Sequence, residues 1–277
     1  MRNLLSAGFV RLWKSKAFWL SCLLLAGTTV ASIWTRYMDE RQIGYRHNLD
    51  SAFIGYVLTI AFLIPVVCAL LIGAEHADGA IRNKVICGHR KTQVYLSNLI
   101  LTSVASLLMC TAAVVPGLCV GLPLLEGFVM GPVRAALFFA AVYTLSLAWA
   151  AIFTALTMLV SNRTVSAVAA MLLSLALLAA GAYLEGRLEA RPTVQGYVLT
   201  VNGTVAEVEE YPNPAYLPEG PVRSVFRFLS DFTPGGQTLQ HVNTAVEHLE
   251  TFMLYDAVVV VLTTGAGLAL FKRKDLK

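Results

Sequence analysis

The 277-residue sequence is short of charge: 14% of its residues are Asp, Glu, Lys or Arg, while 57% are hydrophobic. Soluble domains carry about 25% charged residues, so a water-exposed globule is excluded for the chain as a whole. Cysteine is sparse and badly placed for cross-linking. The five cysteines are Cys22, Cys68, Cys87, Cys110 and Cys119, and the long polar segment 185–250 has none, so no disulfide framework is expected. A phosphate-binding loop is also missing. Its nearest approximation, Gly88-His89-Arg90-Lys91-Thr92, puts Arg90 where the second glycine belongs, and that side chain would keep the backbone from phosphates. ATP binding by this chain itself is therefore not expected. His76, Cys87 and His89 share one segment without zinc spacing, and His241 and His248 form no His-Glu-x-x-His pair, so no metal site is expected. The adjacent acids Glu209-Glu210 lack the downstream arginine of a membrane protease, since Pro214 stands in its place. Neither internal repeats nor low-complexity tracts are present.

What the chain has instead is apolar length. Splitting it at its charges leaves six tracts, 17–34, 53–74, 94–125, 135–162, 164–184 and 251–271. About 20 apolar residues cross a hydrocarbon core of ~30 Å, so each tract is long enough to span. The fold class is an all-α polytopic membrane protein, one transmembrane domain over 1–277. Pro65 and Pro116 predict kinks, tolerated where a neighbour covers the freed carbonyl. The link between spans four and five is so short that these helices are expected to be antiparallel neighbours.

Charge distribution sets an expected orientation. With six spans and both ends on one side, segments 1–16, 75–93, Arg163 and 272–277 hold 13 of the 21 Lys and Arg residues, including all seven lysines. Basic residues in short loops stay on the cytoplasmic side, so both termini are expected there, with the protein multi-pass in the cell membrane. Residues 1–16 place Leu4, Leu5, Gly8, Phe9, Leu12 and Trp13 on one helical face, the pattern of an interfacial amphipathic helix.

The segment 185–250 is the expected large outer loop. Its Val194 to Val208 stretch is β-rich around Asn202-Gly203, a two-residue hairpin signal. Asn202-Gly203-Thr204 also matches a glycosylation acceptor, although the turn alone accounts for it. Val222, Val225, Phe226 and Leu229 then recur at helical spacing with Arg223 and Arg227, predicting a short helix at the outer interface. A second helix is expected after Pro234-Gly235-Gly236. Asp256 is the single charge within a tract, and five residues in, it could sit near the headgroups or be buried and functional.

The segment 75–93 is too polar to be embedded and too long for a tight turn. Gly79 and Gly88 bracket Ile81, Arg82, Asn83, Lys84, Val85 and Ile86, predicting a short helix with an apolar ridge that could dock on another protein. Here the order of residues resembles a family. Glu75, Gly79, Ile81-Arg82-Asn83-Lys84, Gly88 and Tyr95-Leu96 look like the Glu-x-x-x-Gly-Thr-Ile-Arg/Lys-Asn segment, ending in Tyr-Leu-Ser-Lys, of ABC-2 type transporter permeases. Such permeases include exporters and immunity permeases for antibiotics, peptides and lantibiotics. Asn213-Pro214, Pro234-Gly235-Gly236-Gln237 and the tail Phe271-Lys272-Arg273-Lys274-Asp275 extend the resemblance. The chain departs from the pattern at His76, Ala80, Asn98 and Gly235, where the family commonly has an aromatic, a threonine, a lysine and a threonine.

The resemblance implies a transport subunit without catalysis of its own. It implies a coupling helix within Glu75 to Arg90 seated in a separate ATPase subunit, with Glu75, Gly79, Ile81, Arg82, Asn83, Val85, Gly88 and Arg90 as coupling residues. Glu75 and Arg82 would fix the loop, and Ile81 and Val85 would be docking knobs. Two ATPase subunits consuming ATP and Mg would drive two permease subunits, identical or paralogous, within the lipid bilayer; no nucleic-acid partner is expected. Short outer helices over Val222 to Glu250 would cap the exit, making Phe226, Leu229, Pro234, Gly236, Gln237 and Asp256 an outer gate. Spans nearly free of ionisable groups suit a hydrophobic or amphipathic cargo. Two other readings stay open: a membrane enzyme using Asp256 and outer-loop acids, and a non-transporting sensor or immunity protein binding a ligand through its outer loop.

Overall fold

The computed structural model describes residues 1–44, 46–199, 205–243 and 248–275. In chain order the elements are α1 (Arg2–Lys14), α2 (Lys16–Ile43), α3 (Leu49–Ala52), α4 (Ile54–Ala77), α5 (Ala80–Ile86), α6 (Lys91–Leu124), α7 (Pro132–Leu159) and α8 (Arg163–Leu188), then β1 (Thr193–Leu199), β2 (Val205–Pro212), α9 (Pro221–Phe232), α10 (Pro234–Asn243) and α11 (Leu249–Arg273). Among the described residues six helices, α2, α4 with α3 ahead of it, α6, α7, α8 and α11, are long and apolar enough to cross a membrane. The fold is that of an all-α polytopic membrane protein with one small hairpin.

The bundle is built around α4 and α7, whose most apolar stretches are 61% and 56% buried, against 28% for α8 and 22% for α11. Helix α6 packs on α7 and α2, α8 lies against α4 and α10 alike, and α11 runs along α7. The three-residue link does bring α7 and α8 into contact, but α4 is the larger neighbour of α8. Close approach is achieved with small residues. A Cβ on Gly117 would fall 2.7 Å from the Phe53 ring and 2.8 Å from Thr29 Cγ2, so α6 presents bare backbone where α2 and the start of α4 meet it. Pro65 removes the donor for the Ala61 carbonyl, and Ser174 of α8 supplies a replacement, its hydroxyl donating to Ala61 O at 2.7 Å.

Helix boundaries differ from the apolar tracts for a physical reason. Charges mark where the membrane ends, not where the helix does. Helix α2 continues past Trp34 to Ile43 through residues that favour helix: Arg36 donates to Ser32 Oγ at 2.6 Å and Arg41 lies 4.9 Å from the Tyr37 ring centre. Gly44, at φ 75°, then ends it. The expected polar loop at 35–52 is reduced to a few residues, tied across to the next connection by an Arg46–Glu126 ion pair at 2.5 Å.

Helix α1 buries Leu4, Gly8 and Leu12 against the bundle, with Gly8 facing Leu101 of α6. Trp13 points outward and stacks on Trp19 at 5.4 Å. Strands β1 and β2 pair antiparallel, Thr193 opposite Pro212 and Tyr197 opposite Val208. The Asn202-Gly203 turn and its glycosylation pattern lie outside the described residues.

Candidate coupling and gating sites

At one end of the bundle, α4 and α6 are joined by the α5 elbow. Gly79 (φ 65°) and Gly88 (φ 91°) take the left-handed conformation that lets the chain turn sharply into and out of α5. Glu75, in the last turn of α4, is fully buried. A buried carboxylate is sustained only by partners, and it has three. Arg11 of α1 and Lys84 of α5 (2.5 Å) both donate to its Oε1, and Asn98 Nδ2 of α6 donates to Oε2 at 2.9 Å. One acid therefore fastens the elbow, the leader and the third long helix together. Burial lowers the Arg11 guanidinium from its usual value, and burial followed by the nearby Arg11 charge brings Lys84 down to about 8.

The remaining elbow residues divide by face. Ile81 is 1% exposed and packs with Leu4, Ile72, Val94, Tyr95, Met158 and Phe271, and Val85 leans on the same cluster. The apolar ridge thus turns inward, so Ile81 is not a docking knob: it anchors the elbow to its own bundle. Arg82 is exposed and does not bind Glu75; Lys84 does so instead. Arg82, Asn83, Ile86 (70% exposed), Cys87 and Gly88 form the outward surface, with Arg90 exposed at the start of α6. Arg11, Lys84 and Asn98 escape a reading of the sequence because Arg11 and Asn98 are distant in the chain. The signals for them are an acid at the very end of an apolar tract and an amide inside one.

The same end is closed by lysines on helix C-termini. Lys91 Nζ donates to the carbonyls of Lys272 (3.1 Å) and Lys274 (2.6 Å), and Lys274 Nζ donates to Met158 O at 3.0 Å. Positive charge at the open carbonyls of α11 and α7 is favourable with the helix dipole.

At the opposite end α9 and α10 form a helical hairpin that folds back into the bundle. Helix α10 begins at Pro234 itself, with Gly235 and Gly236 inside its first turn, earlier than the sequence suggests. Proline is preorganised for the first helical position, and the glycines are needed for contact: a Cβ on Gly181 of α8 would meet Gly235 C at 2.6 Å and Gly236 N at 2.7 Å. Gly181 lies seven residues from the end of α8, roughly 10 Å below it at 1.5 Å per residue. Pro234, Gly236, Gln237, Thr238 and His241 are all buried, and Trp149 of α7 donates to Thr238 Oγ1 at 3.2 Å.

The expected gate residues therefore separate. Phe226, 6.3 Å from the Tyr183 ring, and Leu229, 40% exposed, ride on the outward α9 helix. Pro234, Gly236, Gln237 and Asp256 are interior. Asp256 is 1% exposed, with Thr144 Oγ1 donating to its Oδ2 at 2.8 Å. It is buried within the bundle. A buried carboxylate is sustained only by its partners.

The six long helices thus carry a clamped elbow at one end and an inserted hairpin at the other. The family model described as ABC-2 family transporter protein matches residues 4–181, and the chain belongs to that family as a permease component of an ABC transporter. The match runs from within α1, through the elbow, to within α8, the fifth long helix. No curated protein matches the chain.

Proposed function

We propose that this chain is the permease of an ATP-driven exporter in which two permease subunits, identical or paralogous, work with two ATPase subunits that consume ATP and Mg. Both termini and the α5 elbow face the cytoplasm, and the α9–α10 hairpin faces outward. The observation that carries this reading is the Glu75 clamp, which makes α5 a rigid extension of α4 and α6. Force applied to the exposed surface of α5 passes into two long helices and into α1 together, as a rigid-body transition requires. The clustering of lysines on the elbow side supports the orientation. The cargo is hydrophobic or amphipathic, in keeping with apolar helix surfaces such as Leu172, Leu175, Val261 and Leu262 on α8 and α11.

The test is Ile86→Asp, which alters the exposed face without touching the clamp. The variant is expected to insert and fold normally but to lose co-purification with its ATPase subunit and to lose transport. Unchanged assembly and transport would overturn the assignment of α5 as the coupling element.

A further inference from the structure

We propose that a cleft at the hairpin end of the bundle holds the headgroup of a phospholipid bearing a primary ammonium, of the phosphatidylethanolamine class. The ammonium sits on the carboxylates of the cleft and the phosphate on Arg227.

The cleft has a volume of about 390 Å³ and lies between the last turn of α8, the α9–α10 hairpin and the first turn of α11. Its size is that of a small-ligand pocket. Three acids line it, Glu185 and Glu189 from the end of α8 and Asp231 from α9. Each is held in place by a neutral donor. The Ser230 hydroxyl donates to Glu185 Oε1, Gln240 Nε2 donates to Asp231 Oδ1 at 2.9 Å, and Asn243 Nδ2 donates to Glu189 Oε1 at 3.2 Å. Among the described residues no cation forms an ion pair with any of the three.

Two arginines also line the cleft, and their states differ. Arg223 is committed: it donates to the carbonyls of Leu217 at 2.7 Å and Leu188 at 2.9 Å, and its Nε lies 3.2 Å from Glu219. Arg227 is exposed and one helical turn from Asp231, yet among the described residues it makes no ion pair or hydrogen bond. The cleft thus presents three positioned negative charges and one free positive charge. A ligand with both an ammonium and a phosphate complements that pattern, whereas an anion alone meets repulsion. The kind of ammonium follows from the lining. Carboxylates accept hydrogen bonds and so favour N–H groups, whereas a quaternary ammonium is held by aromatic faces. Among the described residues the lining offers one phenyl ring, Phe252.

The position of the cleft makes the occupant a lipid. Glu185 and Glu189 lie where one long apolar helix ends, and Thr251 and Phe252 where another begins, so the cleft sits where hydrocarbon gives way to headgroups. An apolar track leads away from it. Leu254, Val258 and Leu262, 63%, 38% and 58% exposed, follow Thr251 at helical spacing on α11. Beside this track Phe228 of α9, half exposed, packs on Tyr255 of α11 at 6.0 Å. Acyl chains on this face and a headgroup in the cleft would belong to one molecule.

The experiment is native mass spectrometry of the full chain released from detergent micelles. The probes are phosphatidylethanolamine, its N-methyl and N,N-dimethyl analogues, phosphatidylcholine and phosphatidylglycerol, all with the same acyl chains. Retention is expected to fall with each added methyl, by about tenfold across the series, as N–H donors to charged acceptors are lost. Phosphatidylglycerol is expected to bind more weakly than phosphatidylethanolamine, and free phosphoethanolamine, the same headgroup without chains, is expected not to displace the lipid. The double variant Asp231→Asn with Glu189→Gln should lose the preference for ethanolamine over choline, and Arg227→Gln should weaken both. The methylation series on the wild type carries the test alone if the variants do not fold. Equal retention of the ethanolamine and choline lipids, tighter binding of phosphatidylglycerol, or displacement by free phosphoethanolamine would overturn the proposal. Neither an ATPase nor the orientation of the chain enters the measurement, so failure here is distinct from failure of the transport reading.

Discussion

Glu75→Gln is the sharpest perturbation of the elbow. The substitution keeps size and one acceptor but removes the carboxylate charge on which Arg11 and Lys84 meet at Oε1. Removing one member of a buried ion pair costs about 3–5 kcal/mol. The lower end applies because the Arg11 side chain is 40% exposed and can turn to water, whereas Lys84, at 16%, has less freedom. About 3 kcal/mol corresponds to roughly a hundredfold rise in local opening, at 1.4 kcal/mol per tenfold. Hydrogen exchange of Ala80–Ile86 in the intact protein measures that opening directly. The double variant Glu75→Gln with Lys84→Met should recover part of the loss, since one stranded cation is gone. If exchange in α5 accelerates less than about threefold, Glu75 is not what holds the elbow and the force path through it is wrong.

Two further predictions concern packing. Ile81→Asp places an unpaired charge in the cluster with Leu4, Val94 and Phe271, so it should lower thermal stability and yield, whereas Ile86→Asp should leave both unchanged; equal effects of the two would contradict the inward orientation of the ridge. Gly181→Leu forces side-chain atoms into the backbone of Gly235 and Gly236, and overpacking of this kind costs about 1–3 kcal/mol. It should unseat α10, read as increased exchange across Pro234–Asn243 with α4 and α7 unaffected.

The six long helices are legible in the sequence because apolar length has one physical use. Their ends are not: Arg36 to Ile43 is polar and helical at once, and only Gly44 stops it. The elbow helix is visible from Gly79 and Gly88, but a seven-residue helix offers no periodicity long enough to say whether Ile81 faces in or out. That depends on Leu4 and Phe271, from opposite ends of the chain. The partners of Glu75 are hidden for the same reason, since Arg11 precedes it by 64 residues and Asn98 follows by 23. Asn98, which departs from the lysine common in the family, makes sense once Lys84 and Arg11 are seen to supply the charge. Pro234-Gly235-Gly236 reads locally as a breaker; its glycines are explained only by the α8 backbone against which they lie. Asp256 stands out as the lone charge in an apolar tract, but Thr144 and Gln237 become its neighbours only through tertiary structure.

The central claim is that α5 meets an ATPase on the cytoplasmic side, and Cys87 tests it directly. This thiol is exposed at the end of α5, whereas Cys22, Cys68 and Cys110 are buried and Cys119 can be replaced by alanine. In membranes containing the assembled transporter, a membrane-impermeant maleimide should label Cys87 in inside-out vesicles alone, and a short thiol cross-linker should join it to an ATPase subunit. Labelling from the outer face, or no ATPase adduct in an assembly that still transports, would contradict the account.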